Sequence, residues 1–254
     1  MLIKREAEYF FGAVRFFTRL PVPAWVGHSA EHLNRSARYF PAVGLLVGGI
    51  GALVYLAAAL AWPKAVAVLL AMAATIHVTG AFHEDGLSDT VDGLGGGWEK
   101  IRILEIMKDS RVGSDGVVAI VLALLGKFTL LTEMADAWVP AALVAGHAVS
   151  RFASTTLLST MEYVREDALS KAKPLATRLT PGEMATAALC TLAGLALLPP
   201  VQALAGCVLA ALATLWMARY FRRWLGGYTG DCLGATQQVA EIAFYLGVIA
   251  KLPL

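Results

Sequence analysis

Three aspartates, Asp85, Asp89 and Asp92, recur at i, i+4 and i+7 within a segment that runs from His83 to Gly97. On a helix that spacing stacks all three carboxylates on one face. Like charges so placed beside an apolar run repel one another and are costly unless a cation lies among them. Hard oxygen donors suit Mg2+ or Mn2+, and Mg2+ is usually held by one or two carboxylates together with substrate phosphates. The cluster therefore predicts metal-assisted chemistry on a phosphorylated substrate, with Asp85, Asp89 and Asp92 as metal ligands. The plainer alternative is a solvated acidic loop, but a heptad-spaced triple followed by Gly93 to Gly97 is not common in such loops. The spacing is not that of an EF-hand loop, so calcium is the weaker choice. His77 and His83 stay outside the metal set, because a lone His at a helix end is more often a hydrogen-bonded bystander.

Two further segments could serve such a substrate. Met107 to Gly116 offers Lys108 and Arg111 as cations, and Ser110, Gly113 and Ser114 near a helix N-terminus, which attracts phosphate. Alone it reads equally well as an amphipathic linker. Gly226 to Gly234 holds four glycines in nine residues at the opening of another helix, with Gly230 and Asp231 at its centre. Its amides could face an anion, and Asp231 could add a carboxylate or simply cap the helix. Lys127, His147, Arg151 and Glu241 lie inside apolar runs, where ionisable groups are expensive. Arg151 is the candidate substrate contact among them; internal ion pairing is the competing explanation.

The elements that must position these groups are membrane helices. Charged residues make up 16% of the 254-residue chain, against about 25% in ordinary soluble domains, and mean hydropathy is +0.63. A net charge of +2 offers no basic face for nucleic acid. Seven spans are expected: Pro41–Trp62, Ala65–Phe82, Gly116–Thr132, Ala137–Leu158, Met184–Leu198, Val201–Ala218 and Ala235–Ala250. With these spans, 17 of the 21 Lys and Arg residues fall on one side, while Lys64 and Lys251 fall on the other. Lys127 and Arg151 lie within spans. The positive-inside rule then puts the N-terminus in the cytoplasm. The longer connections, and all the acidic and Gly-rich segments, share that side. Ile3, Ala7, Phe10, Val14 and Phe17 follow helical spacing. They predict an N-terminal amphipathic helix, either lying in the membrane interface or packed on the protein's own core. Cys190, Cys207 and Cys232 show no metal-ligand spacing and read as reduced bystanders. The fold class is all-α: a polytopic integral membrane protein of about seven transmembrane helices, a single domain over residues 1–254.

Together these segments bring a family into view. Phe82 to Gly93 (Phe-His-Glu-Asp-Gly-Leu-Ser-Asp-Thr-Val-Asp-Gly), Met107 to Ser114 (Met-Lys-Asp-Ser-Arg-Val-Gly-Ser) and Gly226 to Ala235 (Gly-Gly-Tyr-Thr-Gly-Asp-Cys-Leu-Gly-Ala) resemble the cobalamin synthase, or adenosylcobinamide-GDP ribazoletransferase, family. Phe16 to Pro23, Phe40 to Leu45, Ser150-Arg151 and Tyr163 to Leu169 fit the same pattern. Val164, Ala168 and Asp115 depart from it; none touches the Asp triple. The resemblance implies a bacterial inner-membrane enzyme of late vitamin B12 synthesis, its active site facing the cytoplasm. It implies Mg2+ as cofactor, and adenosylcobinamide-GDP and α-ribazole (or its 5′-phosphate) as substrates, joined with release of GMP. Membrane lipid is an expected partner, and a homo-oligomer is left open. The catalytic set on this reading is Asp85, Asp89, Asp92 and Asp231, with Asp92 or Asp231 as general base. Lys108, Ser110, Arg111, Gly113, Arg151 and Gly230 are the substrate contacts. Two other readings stand beside it: a CDP-alcohol phosphatidyltransferase-like phospholipid enzyme, which would release CMP, and a transporter. A transporter predicts internal repeats and a midplane site, and the sequence shows no repeat.

Overall fold

A computed structural model describes residues 2–27, 29–165 and 178–251. Residues 166–177, which hold part of the Tyr163 to Leu169 string, lie outside the described residues. The described chain is helical: α1 (Leu2–Phe17), α2 (Ala30–Ser36), a 3-10 turn (Ala37–Tyr39), α3 (Phe40–Ala59), α4 (Lys64–Thr79), α5 (Phe82–Gly96), α6 (Lys100–Ile106), α7 (Ser114–Glu133), α8 (Val139–Thr160), α9 (Pro181–Leu195), α10 (Pro200–Leu225) and α11 (Gly230–Val248). Short turns separate α3 from α4, α4 from α5 and α9 from α10, while a longer connection joins α1 to α2. Proline opens α9 and α10, where its missing N–H costs nothing.

Helices occupy all seven apolar segments, yet they are not equally suited to a bilayer. Glu31–Ala59, Ser114–Glu133 and Pro200–Leu225 are each long and apolar enough to cross one. A fourth candidate joins α4 and α5 across an 85° bend. α9 has 15 residues, about 22 Å of helix at 1.5 Å per residue, which falls short of the hydrocarbon core. α8 and α11 are diluted by buried polar residues, among them His147, Arg151, Gln237 and Glu241. The expected sixth span also changes. The span expected over Val201–Ala218 leaves Arg219, Arg222 and Arg223 beyond its end, but α10 continues two further turns and carries them. A left-handed Gly226 at φ +76° ends it.

Small residues let the central helices approach closely. α3 packs along α8 through Gly44 and Gly48, one turn apart, where a Cβ would lie 2.3 Å from the His147 carbonyl oxygen and 2.5 Å from that of Leu143. α1 settles on this body. Val14 and Phe17 are buried and Phe10 half-buried, while Ile3 at the free end is 85% exposed. Arg38 pairs with both Glu6 and Glu183, tying α1 to α9. Of the two expectations for the N-terminal helix, packing on the protein's own core is the one these contacts describe.

The α4–α5 turn positions the acidic segment. Gly80 and Ala81 both adopt left-handed backbone, at φ +68° and +59°. Their turn sends α5 off the line of α4. Ala81 is the described non-glycine residue with positive φ, so relief of its strain is testable. Ala81→Gly should leave the bend in place and change the melting temperature little or raise it, the left-handed strain of about 1 kcal/mol offsetting glycine's entropy.

Candidate active site at the crossing of α5 and α11

The expectation that Asp85, Asp89 and Asp92 share a helix is met by α5, which contains all three. Its neighbour is the start of α11. The two helices touch at Gly86 and Gly234, whose Cα atoms come so close that a Cβ on either would meet the other's Cα at 3.2 Å. A Cβ on Gly86 would also lie 3.0 Å from the Asp231 carbonyl oxygen. This crossing brings Asp85 and Asp89 beside Asp231. Their crowding is visible in Asp89, pushed up to about 6 by burial first and then by Asp231 and Asp85. Asp231 is raised as well, chiefly by burial, with Arg165 opposing it and Asp85 adding to it. Gly86→Leu should wedge the helices apart, cost about 1–3 kcal/mol in overpacking and separate the carboxylates. Its expected signature is a lowered melting temperature with activity lost even in the fraction that stays folded.

Asp231 is not the helix cap. That role belongs to Thr229, whose hydroxyl accepts from the Cys232 amide at 3.3 Å. Asp231 instead pairs with Arg165 at 3.0 Å, and Arg165 also donates to the Met107 carbonyl at 3.2 Å. A short main-chain pairing brings Arg165 there. The Val164 amide donates to Tyr228 O (3.0 Å), and the Tyr228 amide to Glu162 O (2.9 Å). Gly227 permits the approach, since a Cβ there would fall 2.1 Å from the Glu162 carbonyl oxygen. Arg165 was missed as a site residue; its place in the Tyr163 to Leu169 string was the available signal. Arg165→Gln should lower kcat/KM about 10–100-fold, the range for groups that orient a catalytic side chain, with KM for the phosphorylated donor rising less than kcat falls.

Asp92 is placed differently from its two neighbours. Its carboxylate accepts the Gly113 amide at 2.7 Å and the Gly116 amide at 2.8 Å. The helix N-terminus expected to receive a phosphate thus receives a protein carboxylate, and Asp92 binds α5 to α7. Around α6 lie two open clefts. One, of about 330 Å³, is lined by Lys100, Lys108 and Arg165 with Glu105 and apolar neighbours. The other, of about 350 Å³, is lined by Arg102, Arg111, Gly113 and Ser114 together with Asp92, Asp109 and Asp115. Lys108 and Arg111 therefore face separate clefts. Arg111 grips Asp109 at 2.5 Å and holds that carboxyl down at about 2. Ser110 is exposed between the clefts.

Arg151 and Gly230 meet elsewhere, on a small cavity of about 40 Å³ shared with Phe16, Phe17 and Leu233. That volume suits waters rather than a nucleotide. Arg151 is 1% exposed and donates to the His147 carbonyl oxygen at 3.0 Å. The other in-span charges pair internally. Lys127 meets Glu241 at 3.1 Å, and Gln237 and Tyr245 donate to Glu241 at 2.7 and 3.1 Å. Gln238 then links Gln237 (2.8 Å) to Glu84 (3.0 Å), the residue before Asp85. The buried network thus ends on α5 at the residue preceding the acidic triple. Neither Glu84 nor the glutamines stood out in the sequence: Glu84 lies off the i, i+4, i+7 spacing of the aspartates, and an amide in an apolar run carries no charge to flag it.

Among the described residues no three His, Cys, Asp or Glu side chains converge on one point suited to a metal ion. The arrangement fits the alternative pattern, in which one or two carboxylates bind and substrate oxygens complete the shell. Asp85 is exposed and Asp89 half-buried, and neither forms a hydrogen bond or ion pair to the described residues.

Helices apolar enough to cross a membrane, a carboxylate cluster and basic clefts beside it are what a membrane-embedded group-transfer enzyme requires. Its family follows from comparison with known proteins. The chain belongs to the cobalamin-5-phosphate synthase family, whose model matches residues 9–249. It is 50% identical over 251 residues to an adenosylcobinamide-GDP ribazoletransferase of Shewanella amazonensis, covering 96% of this chain and 95% of that one. It is 46% identical over 254 residues to the enzyme of that name from Shewanella frigidimarina, covering 97% and 95%. With that from a Polaromonas species it shares 47% identity over 275 residues, covering 96% and 97%. No solved structure matches. The chain is a membrane transferase of cobalamin biosynthesis.

Proposed function

We propose that this chain joins adenosylcobinamide-GDP to α-ribazole, or to its 5′-phosphate, with release of GMP. The observation that carries the assignment of the site is the α5–α11 crossing, which sets Asp85 and Asp89 against Asp231 beside a cleft lined by Lys100, Lys108 and Arg165. The names of the relatives supply the substrates. In the reaction a ribose hydroxyl of the acceptor forms a bond to the phosphorus on the cobinamide arm. The bond from that phosphorus to the oxygen bridging to GMP breaks, and GMP leaves.

Asp85 and Asp89 would hold Mg2+, which when bound neutralises charge on the diphosphate and on the departing GMP. Lys108 and Lys100 face the donor's phosphates as point charges. Asp231 takes the proton of the attacking hydroxyl, and Arg165 fixes its orientation. Asp92 keeps α5 docked on α7. With all seven apolar segments in the inner membrane, the short α9 and the polar α8 and α11 shielded by their neighbours, the N-terminus lies in the cytoplasm and the site opens where soluble donor and acceptor arrive. The 17-to-2 distribution of basic residues supports this orientation. Removing divalent cations with EDTA should stop GMP release, and added Mg2+ should restore it only when the ribazole acceptor is present. Release that persists in EDTA would remove the metal from this account.

A further inference from the structure

Sharing no lining residue with the clefts around α6, an open groove of about 710 Å³ lies between α8, α9 and α10. Phe152, Leu157, Leu192, Leu195, Ala211 and Leu215 are among its lining residues. Four threonines also line it, and each turns its hydroxyl onto its own helix. Thr156 donates to Ala153 O at 2.7 Å, Thr160 to Thr156 O at 2.7 Å, Thr191 to Ala187 O at 2.9 Å and Thr214 to Ala210 O at 2.7 Å. The wall therefore offers an occupant methyl and methylene surface and no free hydroxyl. Along α10 the lining runs from Cys207 to Arg222, about 22 Å of helix. That exceeds the roughly 15 Å depth of one leaflet's hydrocarbon.

The groove has one charged lining residue, Arg222, and it sits at the end where α10 carries three arginines. Arg222 is exposed and its described contact is a 3.4 Å bond to the Thr160 carbonyl. Among the described residues no carboxylate pairs with Arg219, Arg222 or Arg223. A hydrocarbon channel with an uncompensated guanidinium at its mouth matches one occupant in charge and shape: a phospholipid whose acyl chain lies in the groove and whose phosphate meets Arg222.

We propose that this groove is a specific site for one anionic phospholipid. The purified full-length protein, incubated in detergent micelles with phosphatidylglycerol or phosphatidylcholine of identical acyl chains, tests this by native mass spectrometry. One phosphatidylglycerol per chain should be retained, at least 10-fold in preference to phosphatidylcholine. Arg222→Gln should abolish the preference while leaving phosphatidylcholine retention unchanged. Ala211→Trp, which fills the groove from an exposed position, should remove bound lipid of either kind. Equal retention of the two lipids by the unaltered protein, or retention untouched by Ala211→Trp, would overturn the proposal. So would a lipid-free dimer that Ala211→Trp converts to monomer, since a second copy would then be the occupant.

Discussion

Asp85→Asn should reduce GMP release by at least 10²–10⁴-fold while the protein inserts, purifies and melts as the unaltered chain does. The expectation follows from what Asp85 touches. It lies exposed on α5, without a hydrogen bond or ion pair to the described residues, next to Asp89 and Asp231. Removing its charge takes away repulsion and breaks no contact, so the melting temperature should stay level or rise slightly. Loss of activity with retained stability is the mark of a residue kept for chemistry at some expense to the fold. Asp92→Asn should behave in the opposite sense. An amide oxygen can accept from Gly113 or Gly116 but its nitrogen cannot replace the second acceptor, so α7 loses part of its cap, at about 1–2 kcal/mol. Comparing the two variants by thermal melting and GMP release separates a ligand from a structural cap on the same helix face.

Lys127→Met should cost about 3 kcal/mol or more, because Glu241, 2% exposed, would keep its charge without its cation. Gln237 and Tyr245 still donate to Glu241, which tempers the loss without removing it. The double change Lys127→Met with Glu241→Gln removes both charges and should recover most of the melting temperature. A double variant no more stable than the single one would show that the pair's worth lies in contacts beyond its charge. The network reaches Glu84 through Gln238, so Lys127→Met should also lower activity, and the double variant should restore it in part.

Much of this arrangement was legible from spacing. The i, i+4, i+7 aspartates predicted a helical face, and α5 supplies it. The glycines at 226–234 suggest amides for an anion; the structure uses two of them differently, Gly227 and Gly234 allowing close backbone approach. The differing roles along that face were not legible. Asp92 and Asp89 look alike in sequence, and only the packing of α5 on the start of α7 turns one into a cap. Arg151 does line a cavity, but a small one, and α8 buries it against His147. Arg165 escaped notice because its partner, Asp231, lies 66 residues away and is reached through the Tyr163–Tyr228 pairing. The continuation of α10 past Ala218 was hidden for a simpler reason. Arginine is a good helix former, so the end of an apolar run need not be the end of a helix.

The purified protein in lipid vesicles, with Mg2+ and α-ribazole, is given either adenosylcobinamide-GDP or a CDP-alcohol donor, and the nucleotide released is identified. One GMP should appear for each ribazole joined to the corrinoid, with no CMP from the second donor and neither product from the Asp85→Asn protein. CMP release, or no nucleotide from either donor, would contradict the proposed function.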